Sequence, residues 1–139
     1  MSHPAVQLRN INRFIYAIYD SPRQLSDILR EAGVNDRDVN QIRHHQLEPY
    51  MASLAARWEA LFKEVLPSRQ SDIVVRYYGL TTEETTTLQQ LGNEYNVSRE
   101  RVRQLREHAV ERLKQPDYKK KLEQLTYEVA QEVLKTATP

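Results

Sequence analysis

The chain has 139 residues, 40% of them hydrophobic and 28% charged, with 20 Lys and Arg against 19 Asp and Glu for a net charge of +1. That is enough apolar material for a modest core in one or two small domains, and too much for a wholly disordered chain. The lack of cysteine excludes a disulfide framework, thiol catalysis and cysteine-ligated zinc, and it fits a reducing cytoplasm.

Three glycines among abundant Leu, Glu, Gln, Arg and Lys favour helices, and the apolar spacing agrees. Ile11, Phe14, Ile15 and Ile18 predict a first helix that ends before Asp20-Ser21-Pro22. Leu25, Ile28, Leu29 and Ala32 predict a short second helix closed by Gly33, and Val39 and Ile42 a third. Tyr50, Met51, Leu54, Trp58, Leu61, Phe62 and Val65 form the cleanest stripe, on a long helix stopped by Pro67 and most simply read as core. Ile73, Val74 and Tyr77 lie on a helix ended by Gly79, and Thr81 to Thr86 form a polar loop. Helices over Leu88 to Tyr95 and Val102 to Leu113 follow, and Tyr118, Leu122, Leu125, Val129 and Val133 give a closing amphipathic helix. No strand is predicted, and no apolar run approaches the roughly 20 residues that span a bilayer; the opening residues do not read as a signal peptide. The fold class is all-α in three parts: a helical module over 1–66, a helix-turn-helix domain over 67–116 and a C-terminal helix over 117–139.

The stretch from Leu88 to Leu113 carries the most specific signal. Thr87 with Gln90 three residues on has capping-box spacing, and Ser98 suits the N-cap of the next helix. Leu88, Leu91, Tyr95, Val97, Val102 and Leu105 fall where a helix-turn-helix buries its inner faces, with Gly92 small enough for a close crossing. After Ser98 come Arg99, Glu100, Arg101, Arg103, Gln104 and Arg106. A helix that buries Val102, Leu105, Ala109 and Leu113 shows Arg99, Arg103 and Gln104 on or beside its other face. Such a helix fits the major groove, where Arg pairs with guanine, Gln with adenine, and Glu accepts from cytosine. The competing reading is a solvated charged face.

Charge supports the first reading. A balance of +1 by itself speaks against nucleic acid, yet residues 1–66 carry eight basic and eight acidic side chains. From Ser98 to Lys121 nine basic residues stand against four acidic ones, a local +5 around the presumed reading helix. Lys119-Lys120-Lys121 taken alone reads better as a solvated helix start.

Leu66-Pro67-x-Arg69, Tyr78-Gly79-Leu80, Thr87-Leu88-x-x-Leu91-Gly92 and the run Val97 to Leu105 resemble region four of primary-type bacterial sigma factors, the C-terminal DNA-binding region. The resemblance runs from Leu66 to Lys114 with no gap, and Ala109 and Leu113 continue it. It implies recognition of a promoter element near −35 and docking on the polymerase β flap. By it, Arg99, Glu100, Arg103 and Gln104 contact bases or adjacent phosphates, and Arg69 and Thr87 contact the backbone. Arg101, Arg106 and Ser98 complete the expected DNA-binding set. Val75-Arg76 inverts the usual order of a basic then an apolar residue, and nothing before Pro67 resembles the sigma region that binds core polymerase. The expectation is therefore a stand-alone, cytoplasmic, nucleoid-associated regulator, neither enzyme nor membrane protein, without cofactor or metal. It binds double-stranded promoter DNA together with RNA polymerase core through the β flap, and is aided by self-association or a partner sigma-like subunit. The alternative is an interaction module that mimics region four to occupy the flap or an anti-sigma factor.

An internal echo accompanies this. Leu25, Ile28, Ala32, Val34, Val39 and Ile42 repeat the spacing of Leu88, Leu91, Tyr95, Val97, Val102 and Leu105 at an offset of 63. Gly33 stands at the turn, as Asn96 does later, while Asp36 and Asp38 would repel phosphates. A degenerate second helix-turn-helix used for packing or partner binding, and a chance helical hairpin, both stay open. His44-His45 point about 100° apart on a helix and make a poor metal pair.

Overall fold

A computed structural model describes residues 3–137. Among them the chain is all-helical: α1 Pro4–Tyr19, α2 Leu25–Glu31, α3 Asp36–His45, α4 Leu47–Val65, α5 Ser68–Tyr78, α6 Leu88–Tyr95, α7 Arg99–Leu113 and α8 Pro116–Ala137. No helix among the described residues is long and apolar enough to cross a membrane.

Local chemistry sets the boundaries. Asp20 ends α1 in the left-handed conformation, with φ 52°. Leu66, extended before Pro67, ends α4, as the restricted backbone ahead of a proline requires. Gly79 ends α5 at φ 68°, and a Cβ there would lie 2.7 Å from Asn10 Nδ2 and 2.8 Å from the Glu84 carbonyl. Only glycine meets both demands.

Apolar residues of α1, α2, α3, α4, α5, α7 and α8 make one large core around Trp58, Tyr50, Phe14 and Phe62, all at most 2% exposed. Phe14 meets Trp58, Phe62 and Tyr78 in tilted and edge-to-face contacts at 5.4–5.7 Å between ring centres, joining α1, α4 and α5. The closing stripe of α8 lies along α4: the Tyr50 hydroxyl donates to the Thr126 carbonyl at 3.0 Å, Gln46 Nε2 to the Val133 carbonyl at 2.6 Å, and Arg57 pairs with Glu132. A second, smaller core of Ile73, Leu88, Leu91, Val102 and Leu105 holds α5, α6 and α7 together, and Tyr77 packs against both cores.

α1 is tied to the α5–α6 loop by polar contacts. Asn10, buried, donates from Nδ2 to the Gly79 and Glu83 carbonyls at 3.1 and 3.2 Å, and Gln7 Nε2 donates to the Leu80 carbonyl at 2.8 Å. The buried amide thereby meets the hydrogen-bond demand of the loop carbonyls it faces.

Residues 63 apart carry matching roles in α2–α3 and α6–α7. Capping boxes at Gln24/Asp27 and Thr87/Gln90 open the first helices. Gly33 and Asn96 take positive φ, Val34 and Val97 donate back to the carbonyls of Leu29 and Gly92, and Asn35 and Ser98 cap the second helices. The tertiary settings differ: α7 packs on α5 and α6, whereas α2 and α3 pack on α8.

Candidate nucleic-acid interface

Two helix starts and one turn build the interface. Thr87 Oγ1 accepts from the Gln90 amide at 3.1 Å while Gln90 Oε1 accepts from the Thr87 amide at 2.9 Å. Asn96 turns the chain at φ 58°, and Ser98 Oγ accepts from the Arg101 amide at 3.0 Å to open α7. These contacts satisfy amides that the first helical turns leave free. At Gly92 the turn folds back so closely on α6 that a Cβ would stand 2.8 Å from the Val97 carbonyl oxygen.

α7 buries Val102, Leu105, Ala109, Val110 and Leu113, which leaves Arg99, Glu100, Arg103, Gln104 and Glu107 on its outer side. Arg103 is held between two carboxylates of its own helix: Nε donates to Glu100 Oε2 at 2.9 Å, Nη2 to Glu100 Oε1, and Nη1 to Glu107. These bonds push the Arg103 guanidinium above its ordinary value, and Arg103 in turn holds the Glu100 carboxyl below the usual range. Gln104 Oε1 accepts from Arg101 at 3.3 Å, and Arg99 forms no ion pair among the described residues.

The remaining residues expected from sequence lie off that face. The Arg106 guanidinium, half-buried, stands 4.6 Å over the ring of Tyr77, at the seam between the two cores. Arg69, exposed at the start of α5, places its guanidinium 5.1 Å over Tyr95 at the end of α6. Thr87 and Ser98 are exposed at their helix starts, with their hydroxyl oxygens engaged as caps.

A polar link that sequence reasoning missed fixes α5 to α6. Arg76 donates to both oxygens of Glu94 at 2.6 and 2.7 Å, and the Tyr95 hydroxyl donates to Asp72. Burial, then the bond to Asp72, pushes Tyr95 up to about 12, and Arg76 holds the Glu94 carboxyl low. The inverted pair is explained here: Val75 enters the core while Arg76 reaches α6. Glu107 was missed as well, although its position four residues after Arg103 is the spacing that pairs side chains on a helix.

No cluster of three or more His, Asp or Glu side chains suited to a metal ion occurs among the described residues. What the arrangement offers is a rigid helix with guanidinium, carboxylate and amide groups side by side.

Comparison with known proteins shows what this stretch is similar to. Residues 64–115 match the model of the family Sigma-70, region 4. The chain is 34% identical over 86 residues to the RNA polymerase sigma factor RpoD of Helicobacter pylori strain 26695 and, over the same length, to that of strain J99. The alignment covers 61% of this chain and 12% of each relative. No solved structure matches the chain.

Proposed function

Starting from a sigma region four segment folded against a larger helical body, we propose that the chain is a sequence-specific, double-stranded DNA-binding regulator acting at promoters with RNA polymerase. The family segment and the likeness to a sigma factor support a sigma-like role in DNA binding or polymerase interaction. The observation that carries the finer reading is α7 itself: capped by Ser98 and entered through a turn that closes tightly on Gly92 of α6, it presents Arg99, Glu100, Arg103 and Gln104 together. A helix of this width enters the major groove, and its first two turns reach base edges. Arg103 serves a guanine, Gln104 an adenine, and Glu100 a cytosine amino group.

Polymerase contact belongs to the same reading, and the structure limits where it can be made. Val74, Val75 and Tyr78 of α5 are buried in the core shared with α1 and α4, so those residues offer no free apolar face to a partner protein. A pure mimic, binding protein in place of DNA, would have no use for four base-reading side chains on one exposed face.

The test is selection of duplexes by the full chain from a randomised 20-base-pair pool, followed by binding of the enriched and a scrambled duplex. Arg103→Ala and Gln104→Ala each weaken the enriched duplex by roughly 5- to 150-fold and leave the scrambled one nearly unchanged. Equal loss on both duplexes contradicts base readout.

A further inference from the structure

We propose that α1, outside the family segment, is part of the DNA-binding surface and grips the phosphodiester backbone beside the groove that α7 enters. The inference rests on the DNA reading above and adds a surface to it.

Three observations place α1 there. Lys114 at the end of α7 pairs with Asp20 at the end of α1 at 2.7 Å. Val110, on the side of α7 flanking Arg103 and Arg106, is buried in the core to which α1 contributes. Arg13 of α1 and Arg106 of α7 bracket one ring, their guanidiniums 5.9 and 4.6 Å from the centre of Tyr77. α1 therefore lies beside the C-terminal half of α7, next to its outer face.

The chemistry of the outward side of α1 fits phosphate. Arg9 and Arg13 are exposed and form no ion pair among the described residues, unlike Arg103, Arg76 and Arg57. They line an open groove between α1 and the residues leading into α2, together with Tyr16 and with Arg23, which is itself paired with Glu31. Tyr16 is 56% exposed, a large side chain left in water with a hydroxyl free to donate. An α-helix fills the major groove, so an element packed against its flank meets the backbone at the groove's edge. Unpaired arginines there release counterions without reading sequence. The even charge count of residues 1–66 hid this: of the acids near α1, Asp20 is paired with Lys114 and Glu31 with Arg23, while Arg9 and Arg13 keep their charge unpaired.

The experiment measures affinity of the full chain for its enriched duplex and for a scrambled duplex between 50 and 300 mM salt. In Arg9→Ala/Arg13→Ala both affinities fall together, by roughly tenfold at low salt, and the slope of log K against log salt becomes shallower by about 2. Arg9→Lys/Arg13→Lys keeps most of the slope, since a point charge suffices for phosphate. If the alanine pair melts earlier, Arg9→Gln/Arg13→Gln, which keeps a polar arm over Tyr77, carries the test with the same expectation. An unchanged slope in a protein that still prefers its enriched duplex overturns the role of α1 alone. Loss confined to the enriched duplex overturns backbone contact in favour of an effect on reading. A wild-type chain that prefers no duplex overturns the underlying DNA reading, and this proposal with it.

Discussion

In the proposed reading Arg103 is the side chain that meets a guanine, and it is not free. Glu100 and Glu107 hold its guanidinium from both sides along α7, with Arg103 remaining partly exposed. Exposed pairs of this kind are weak and exchange readily for a stronger partner, so they position the group without withholding it from a base. In the proposed DNA reading Glu107 also sets a negative charge where phosphates would approach. Glu107→Gln should therefore raise affinity for any duplex a few-fold while leaving the preference for the enriched sequence intact, as read by fluorescence anisotropy. At this scale the sequence was informative where the chemistry is local. Thr87, Gln90 and Ser98 act as caps within three residues of their partners, as spacing implied. The placement of Arg106 over Tyr77 depends on how α5, α7 and α1 meet, and no spacing along α7 conveys that.

α6 and α7 are held as a pair by a tight turn at Gly92 and a shared apolar core, and α6 is linked to α5 by polar contacts. Gly92→Ala would put a methyl group 2.8 Å from the Val97 carbonyl, so the pair must separate; the expected cost is roughly 1–3 kcal/mol in chemical denaturation, with weakened DNA binding. Ser98→Ala removes the cap of α7 and should cost about 1 kcal/mol. The Arg76–Glu94 link makes the α5–α6 joint sensitive to acid. Arg76 lowers the Glu94 carboxyl in the folded state, so its contribution is complete above the ordinary carboxylate range and is lost as pH falls through the lowered value. Thermal melts of wild type and Glu94→Gln should thus differ at pH 7 and converge in acid. Helix order and ends were legible from apolar periodicity and from Asp20, Gly33, Pro67 and Gly79. The α5–α6 link was not, because Arg76 and Glu94 lie 18 residues apart with a loop between them.

Across the whole molecule, one large core carries α1, α4 and α8 together with the inner faces of α5 and α7, and the smaller core of α5, α6 and α7 joins it through Tyr77. Trp58→Ala should therefore cost about 3–5 kcal/mol and lower the melting temperature of the DNA-binding segment along with the rest, followed by near-ultraviolet circular dichroism and loss of duplex binding on one heating curve. The amphipathic stripes of α4 and α8 announced buried faces, yet nothing in either stripe named the other as partner. Charge behaved the same way: +1 overall conceals the +5 stretch from Ser98 to Lys121, and only folding brings Arg13 of the neutral first 66 residues to the Tyr77 ring that Arg106 of that stretch also approaches. The claim that binds these scales together is that α7 reads bases. Its most direct test is a double-mutant cycle that pairs Arg103→Ala and Gln104→Ala with substitution of each base pair in the enriched duplex. The account predicts coupling of roughly tenfold or more, confined to one or two adjacent base pairs for each side chain. Effects that simply multiply at every position would contradict it.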